Sequence, residues 1–236
     1  MDIVIILHIH KNYSCMKSIF TILLIVCAHL LFTSCKKSNV EPEYDYGPFN
    51  YGQISSITAN GNIVIDLVQG TSNEVVRITK GGPQVVAAGG GLILNGGGTI
   101  RLSVKDPLSI GMNGYGGVKN TGAFTMKSLG ISNQSGTIIL DSMTVEQFSV
   151  ALNNLGDCKV SGRANYLTVS ATNLPTFYGF GLVADSCLIN ATTLGQIQVN
   201  VTQKLSGVSY GAGDIFYKGN PAVVNVSSSG RWIPYP

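Results

Sequence analysis

The chain has 236 residues, of which 44% are hydrophobic and only 11% charged, with 29 glycines and a formal net charge of +3. So little charge beside so much glycine argues against a helical protein and for strands and turns. No Lys/Arg run exceeds the pair Lys36–Lys37, which excludes a nucleic-acid footprint. All three histidines (His8, His10, His29) precede residue 35, so the remainder has no imidazole for general catalysis or for the usual zinc sites.

Residues 1–34 read as a leader. Lys17 supplies a short basic start, and the apolar run from Ile19 to Phe32 is too short for a comfortable membrane span. It ends in Thr33-Ser34-Cys35, small residues before a cysteine, and resembles a bacterial lipoprotein signal. That resemblance implies that Cys35 is diacylated on sulfur and becomes the new N-terminus, so that the lipid is the membrane partner. Phe32 stands where the consensus has Leu, with Leu31 one place further back, and an ordinary secretory leader or an uncleaved anchor are the alternatives. The signal is complete from Met16, which reads as the true start. Lys36 follows the lipid site in place of the Asp of inner-membrane retention, so the expected address is the outer membrane, on either face.

Residues 35–52 are the lipidated cysteine and a polar, Pro/Gly-bearing tether, with Tyr44, Tyr46, Phe49 and Tyr51 either capping the domain that follows or incidental to a linker. From Gln53 to Lys105, ISSITA, NIVIDLVQ and EVVRITK alternate with period two, and Asn60-Gly61 and Gln69-Gly70 mark turns between them. The clusters Gly81-Gly82, Gly89 to Gly91 and Gly96 to Gly98 are not followed by a helical pattern, so they read as tight corners and not as a phosphate cradle.

Leu108 to Pro221 repeats itself. Apolar residues open successive lines at Leu108, Leu129, Phe148, Leu167, Cys187 and Leu205, at intervals of 21, 19, 19, 20 and 18. A turn former follows at Gly116, Gly136, Gly156, Pro175, Gly195 and Gly213, and a second apolar series at Val118, Ile138, Cys158, Phe177, Ile197 and Ile215. Such a repeat predicts an all-β, single-domain, β-helix-like solenoid over 53–226, with coils of about 18–21 residues making three short walls. Residues 227–236 are expected to form a tail. Asn113, Asn133, Asn153, Asn154, Asn173 and Asn190 recur near the corner, as turn residues or as a row of glycan-contacting amides. Cys158 and Cys187 should lie on different walls, about 9–10 Å apart along the axis, and stay unbridged core thiols.

The closing LSGVSYGAGDIFYKGNP (205–221) resembles the last repeat of the "putative auto-transporter adhesin, head GIN domain" family, and so do the coils before it and the opening YGQISSITANGNIVIDLVQG. The resemblance covers 49–226 and implies a β-helix-like domain on exported proteins of Gram-negative bacteria, without established activity or binding residues. Pro175 in place of the corner Gly, Gly-Ala-Gly in place of Gly-Ser-Gly, and a bulky stretch from Leu174 to Leu182 depart from the family pattern.

An enzyme is not expected. Asp157 and Asp214 fall in one column but three rungs apart, about 14 Å, too far for paired carboxylates. Asp141 and Glu146 share a coil but fall on different walls or a corner, and Lys159, Arg163 and Asp157 read as a solvated patch. No catalytic residue, metal site or cofactor is read from the sequence. The expected function is a binding or adhesion module for a glycan or a surface or matrix protein, with a ligand-free envelope scaffold as the alternative. Phe177, Tyr178 and Phe180 are the candidate ligand contacts if they face solvent; the other reading has Phe177 in the core and its neighbours shielding a corner.

Overall fold

The computed structural model describes residues 43–46, 49 and 51–236, so the leader and Cys35 lie outside the described residues. The strands are β1 (Tyr44–Tyr46), β2 (Ser56–Gln69), β3 (Glu74–Thr79), β4 (Gln84–Ala88), β5 (Gly91–Val104), β6 (Leu108–Met112), β7 (Gly117–Asn120), β8 (Phe124–Asn133), β9 (Thr137–Leu152), β10 (Asp157–Asn173), β11 (Phe177–Thr193), β12 (Ile197–Ser209), β13 (Asp214–Lys218), β14 (Val223–Ser228) and β15 (Arg231–Pro234). From β6 onward every pairing is parallel, so this stretch is a β-solenoid.

The openers stand in file. Leu108, Leu129, Phe148, Leu167, Cys187 and Leu205 are register partners in succession, and Val224 extends the column. The second series does the same from Ile65 through Val118, Ile138, Cys158, Phe177, Ile197 and Ile215 to Trp232. A third column, Met126, Val145, Ala164, Ala184 and Val201, faces the same core. One coil of β9 shows why there are three walls. Ile138 and Leu140 are buried, Asp141 and Ser142 exposed, Met143 and Val145 buried, Glu146 and Gln147 exposed, then Phe148, Val150 and Leu152 buried. Period-two alternation slips by one at each exposed pair, and each slip is a corner. The wall carrying Phe148 is called wall 1, that of Ile138 wall 2, and that of Met143 wall 3. The strand Arg231–Pro234, inside the segment expected to be a tail, adds a rung to wall 2.

The corner between walls 1 and 2 explains the glycine column. A Cβ at Gly116 would fall on the Ile63 carbonyl, at Gly136 on the Gly116 carbonyl, at Gly195 on the Pro175 carbonyl and at Gly213 on the Gly195 carbonyl. None of these four needs a left-handed backbone. They are glycine because each coil's corner lies directly on the one before it. The asparagines of this corner bond one another across rungs. Asn60 donates to Asn95 (3.0 Å), Asn113 to Asn60 (3.1 Å) and Gln134 to Asn113 (3.3 Å), while Asn173 donates to Asn154 (3.0 Å). Asn154 and Asn173 hold φ of 55° and 72°, a region asparagine tolerates better than most residues. Asn133 turns inward, is fully buried and binds both the N–H and the carbonyl of Gly136. Asn190 is not a corner residue; it sits within wall 1, opposite Ser170 and Val208.

The first coils are wound out of order. β2 pairs with β5 on one edge and with β6 and β7 on the other, so the later strand β5 lies outside the earlier one. Asn60-Gly61 is therefore a bend inside β2, stacked on Asn95-Gly96, and not a turn between separate strands. β3 and β4 run antiparallel along the outer edge of β5, and β1 along β3. This closes an edge that would otherwise offer unpaired N–H and C=O groups. Phe49 and Tyr51 stack on each other and pack against the core. The chain must then pass from β5 back to β6 beyond β2, through Lys105-Asp106-Pro107. Asn73, only 3% exposed, pins that crossing. Its Oδ1 accepts from the N–H groups of Lys105 (2.8 Å) and Asp106 (3.1 Å), and its Nδ2 donates to the carbonyls of Ile54 (2.9 Å) and Asp106 (3.1 Å).

Cys158 and Cys187 are buried and unbridged. Cys187 stacks on Leu167, in the same strand as Cys158. The two cysteines thus lie on different walls, with the offset one rung where two were expected. Burial pushes both thiols well above the ordinary thiol range, and the Asp157 carboxylate adds to this at Cys158.

Asn73→Ala should lower unfolding free energy by about 3 kcal/mol, since buried backbone groups lose their partner; urea denaturation measures it. Both thiols should resist alkylation until the chain unfolds, which mass mapping of labelled peptides reads. Because folding favours the protonated thiol, this contribution is complete below the unfolded value of about 8.5 and is lost above it. Stability measured from pH 7 to 10 should fall accordingly, and less steeply in a C158A/C187A variant.

Candidate functional site

Residues of wall 2 whose side chains do not reach the core form two outward columns. Register places Lys159, Tyr178, Gln198, Phe216 and Ile233 in one file. Asn200 and Lys218 are partners in the other, and the Asn200 amide donates to the Phe180 carbonyl at 3.3 Å. Phe180 belongs here because β11 bulges. Lys159 faces Tyr178, yet Ser161 faces Gly181; Gly179 faces Val199, yet Val183 faces Asn200. The inserted residues break the ladder and re-aim a side chain outward, as bulges do. This is the bulky stretch seen in the sequence after Leu174.

The bulge leaves a groove of about 470 Å³ lined by Lys159, Val160, Ser161, Tyr178, Phe180, Gly181 and Gln198. Tyr178 is 43% exposed. The Phe180 ring is braced from the side by Tyr235, at 4.8 Å between centroids, and the Lys218 ammonium lies 5.0 Å from its centre. Phe216 meets Tyr235 edge-on at 6.4 Å. A second depression of about 270 Å³ continues beside it, lined by Tyr217, Lys218, Asn220, Pro234 and Tyr235 among others. The result is an apolar, aromatic floor with amide and ammonium groups along it. No carboxylate lines either depression.

The three expected contact residues divide. Tyr178 and Phe180 are on this surface, whereas Phe177 is a correction. It is fully buried, stacked between Cys158 and Ile197. Its ring occupies the space that residue 179 gives up, for a Cβ at Gly179 would fall on the Phe177 ring. Other rungs of this wall pair two medium side chains at these positions, as Ile138 with Leu140 and Ile197 with Val199. Lys218, Gln198 and Tyr235 were not singled out from the sequence. The alternation in Asp214–Lys218 carries a signal for Lys218, but nothing in the sequence says that Tyr235 folds against Phe180.

The carboxylates considered for catalysis do not converge. Asp157 and Asp214 fall at the same corner three rungs apart. Asp157 accepts from the Thr176 N–H at 3.2 Å, and Asp214 is held by both Nε and Nη2 of Arg231. Asp141 accepts from Ser161, and Glu146 borders a groove by wall 3. Arg163 does not join Asp157 and Lys159 in a patch; it pairs with Asp185 at 2.9 Å. The groove by wall 3, about 720 Å³, mixes Lys105 and Lys127 with Asp106 and Glu146 and has no aromatic ring. Among the described residues, no three His, Cys, Asp or Glu side chains form a metal-binding group.

Fold and surface together define a β-solenoid with an aromatic groove on one wall and no assembled catalytic constellation among the described residues. The chain belongs to the "putative auto-transporter adhesin, head GIN domain" family, whose model matches residues 53–221. Crystal structures of similar proteins share the fold. A putative adhesin from Bacteroides fragilis is 20% identical over 81% of this chain and 96% of its own, with a TM-score of 0.67. A putative adhesin from Parabacteroides distasonis is 15% identical over 82% and 95%, with a TM-score of 0.62. A putative lipid binding protein from the same species is 19% identical over 84% and 98%, with a TM-score of 0.60. No curated protein matches by sequence.

Truncation separates core from surface. Phe177→Ala should cost about 3–5 kcal/mol, whereas Tyr178→Ala should shift stability by no more than about 0.5 kcal/mol; thermal unfolding of the two variants measures the contrast.

Proposed function

We propose that this protein is a cell-envelope binding module of the adhesion type, tethered to the outer membrane by lipid on Cys35. The observation that carries the binding reading is the aromatic groove on wall 2. A contiguous exposed apolar patch marks an interaction site, and here a bulge sets a ring out from the core to make one. Family membership supports an envelope or surface role, and similar structures are described as a putative adhesin and a putative lipid binding protein. The tether reading rests on the Thr33-Ser34-Cys35 signal.

The wall suits a presenting role mechanically. Outside the bulge each rung is held by backbone pairing to its neighbours, so Lys159, Tyr178 and Gln198 keep fixed spacing with little entropy to lose on binding. A second apolar feature lies along the corner where wall 2 begins: Leu155, Leu174 and Leu194 project into solvent from successive rungs, beside exposed Tyr115 and Tyr210. A partner lying across wall 2 meets this ridge at one margin and the aromatic groove at the other.

Cells expressing the protein should incorporate labelled palmitate into it, and Cys35→Ser should abolish both label and membrane retention. Protease treatment of intact cells, followed by an adhesion assay on glycan and matrix-protein surfaces, tests the rest. The reading predicts cleavage and adhesion that Tyr178→Ala weakens. Protection from protease with no change in adhesion would favour an internal scaffold.

A further inference from the structure

The groove's chemistry narrows its ligand. We infer that wall 2 binds an acidic polysaccharide, laid along the solenoid axis across Tyr178, with its anionic groups meeting Lys159 and Lys218; this rests on the reading of the domain as a binding module.

The aromatic part selects a sugar. A pyranose ring presents an apolar C–H face that packs on an aromatic face, with hydroxyls around its rim. Tyr178 offers such a face, half-exposed, with Phe180 as a side wall that Tyr235 keeps from rotating away. Gln198 lines the groove next to Tyr178; its Nε2 donates to Gln196 Oε1 at 3.1 Å, and its Oε1 is able to accept from hydroxyls. An apolar peptide would leave both ammonium groups without a counter-charge, which is costly on burial.

The charges select the sugar's class. Lys159 lies on β10 and Lys218 on β13, three rungs away, hence about 14 Å along the axis. Between them no carboxylate lines either depression, and Asp214 is ion-paired to Arg231. Neither lysine forms an ion pair with a described residue. Two cations at the ends of an aromatic trough fit a polymer with repeated carboxylates better than a single charged group. Axial orientation follows from the files: Lys159, Tyr178, Gln198 and Phe216 run rung to rung, not along one strand.

The test uses the full-length protein purified in detergent, with calorimetric titration of polygalacturonate and of uncharged dextran of similar length. Expected is binding of polygalacturonate that weakens as salt is raised, and that falls about tenfold in Tyr178→Ala and in Lys159→Glu. Tyr166→Ala, an exposed ring away from the groove, should bind as the parent does, and all variants should keep the parent's circular dichroism. Equal binding of dextran, or polygalacturonate binding unaffected by Tyr178→Ala and Lys159→Glu, would overturn the inference. So would an absence of binding to polygalacturonate. Adhesion of expressing cells to matrix proteins separates the two failures: if it persists and Tyr178→Ala weakens it, the binding module stands and only the ligand class falls.

Discussion

The structure depends on the backbone ladder between coils. Along each wall a rung donates and accepts to the rung on either side, so like positions must lie about 4.8 Å apart in line. That spacing leaves no room for a side chain where the chain turns sharply over its predecessor. The corner glycines follow directly, since at Gly116, Gly136, Gly195 and Gly213 a Cβ would occupy the place of a carbonyl below. Stacking of the corner polar groups follows too. Asn60, Asn95, Asn113 and Gln134 satisfy one another because identical turns place their amides at hydrogen-bond distance. Repetition thus stabilises the fold locally, each coil by its neighbours, as in other solenoids.

The same rule makes the surface. A regular wall can offer only a flat array, and features arise where regularity breaks. The bulge in β11 breaks it twice, against β10 and against β12, and turns Phe180 outward beside Tyr178. Inside, the disturbance is absorbed by the exchange of volume between Phe177 and Gly179. Core and groove are two faces of one local departure from the repeat. The first coils break the rule differently. Asp66, almost wholly buried, is held by the Arg101 guanidinium and by the Thr121 hydroxyl at 2.9 Å, binding β5, β2 and the turn after β7 across the out-of-order rungs.

The columns of walls 1 and 2 were legible in the sequence because their residues keep one interval from the corner glycine. Leu108 to Leu205 and Val118 to Ile215 could be aligned by counting. Wall 3 was not read, since its residues follow corners whose lengths vary. One coil turns through Ser142 at a φ of 56°, the next through Gly162 at 118°, and β11 through its bulge. The reversal of β2 and β5 is not legible either, because alternation reports which face is buried but not which strand is the neighbour. Phe177 shows the limit within a single residue. Its place in the second column marked it as core and its aromatic neighbours as surface, and only register against Cys158 and Ile197 decides between them.

The register itself can be measured with paired cysteines on the outer face of wall 1. Ser149 and Thr168 are partners on adjacent rungs, whereas Ser170 faces Ala151. In-register stacking puts the first pair within the span that a disulfide tolerates and the diagonal pair, Ser149 with Ser170, at roughly 8 Å, beyond it. The S149C/T168C variant should therefore oxidise to an intramolecular bridge while S149C/S170C stays reduced. A bridge in the diagonal variant, or none in the aligned one, would contradict the stacked coil.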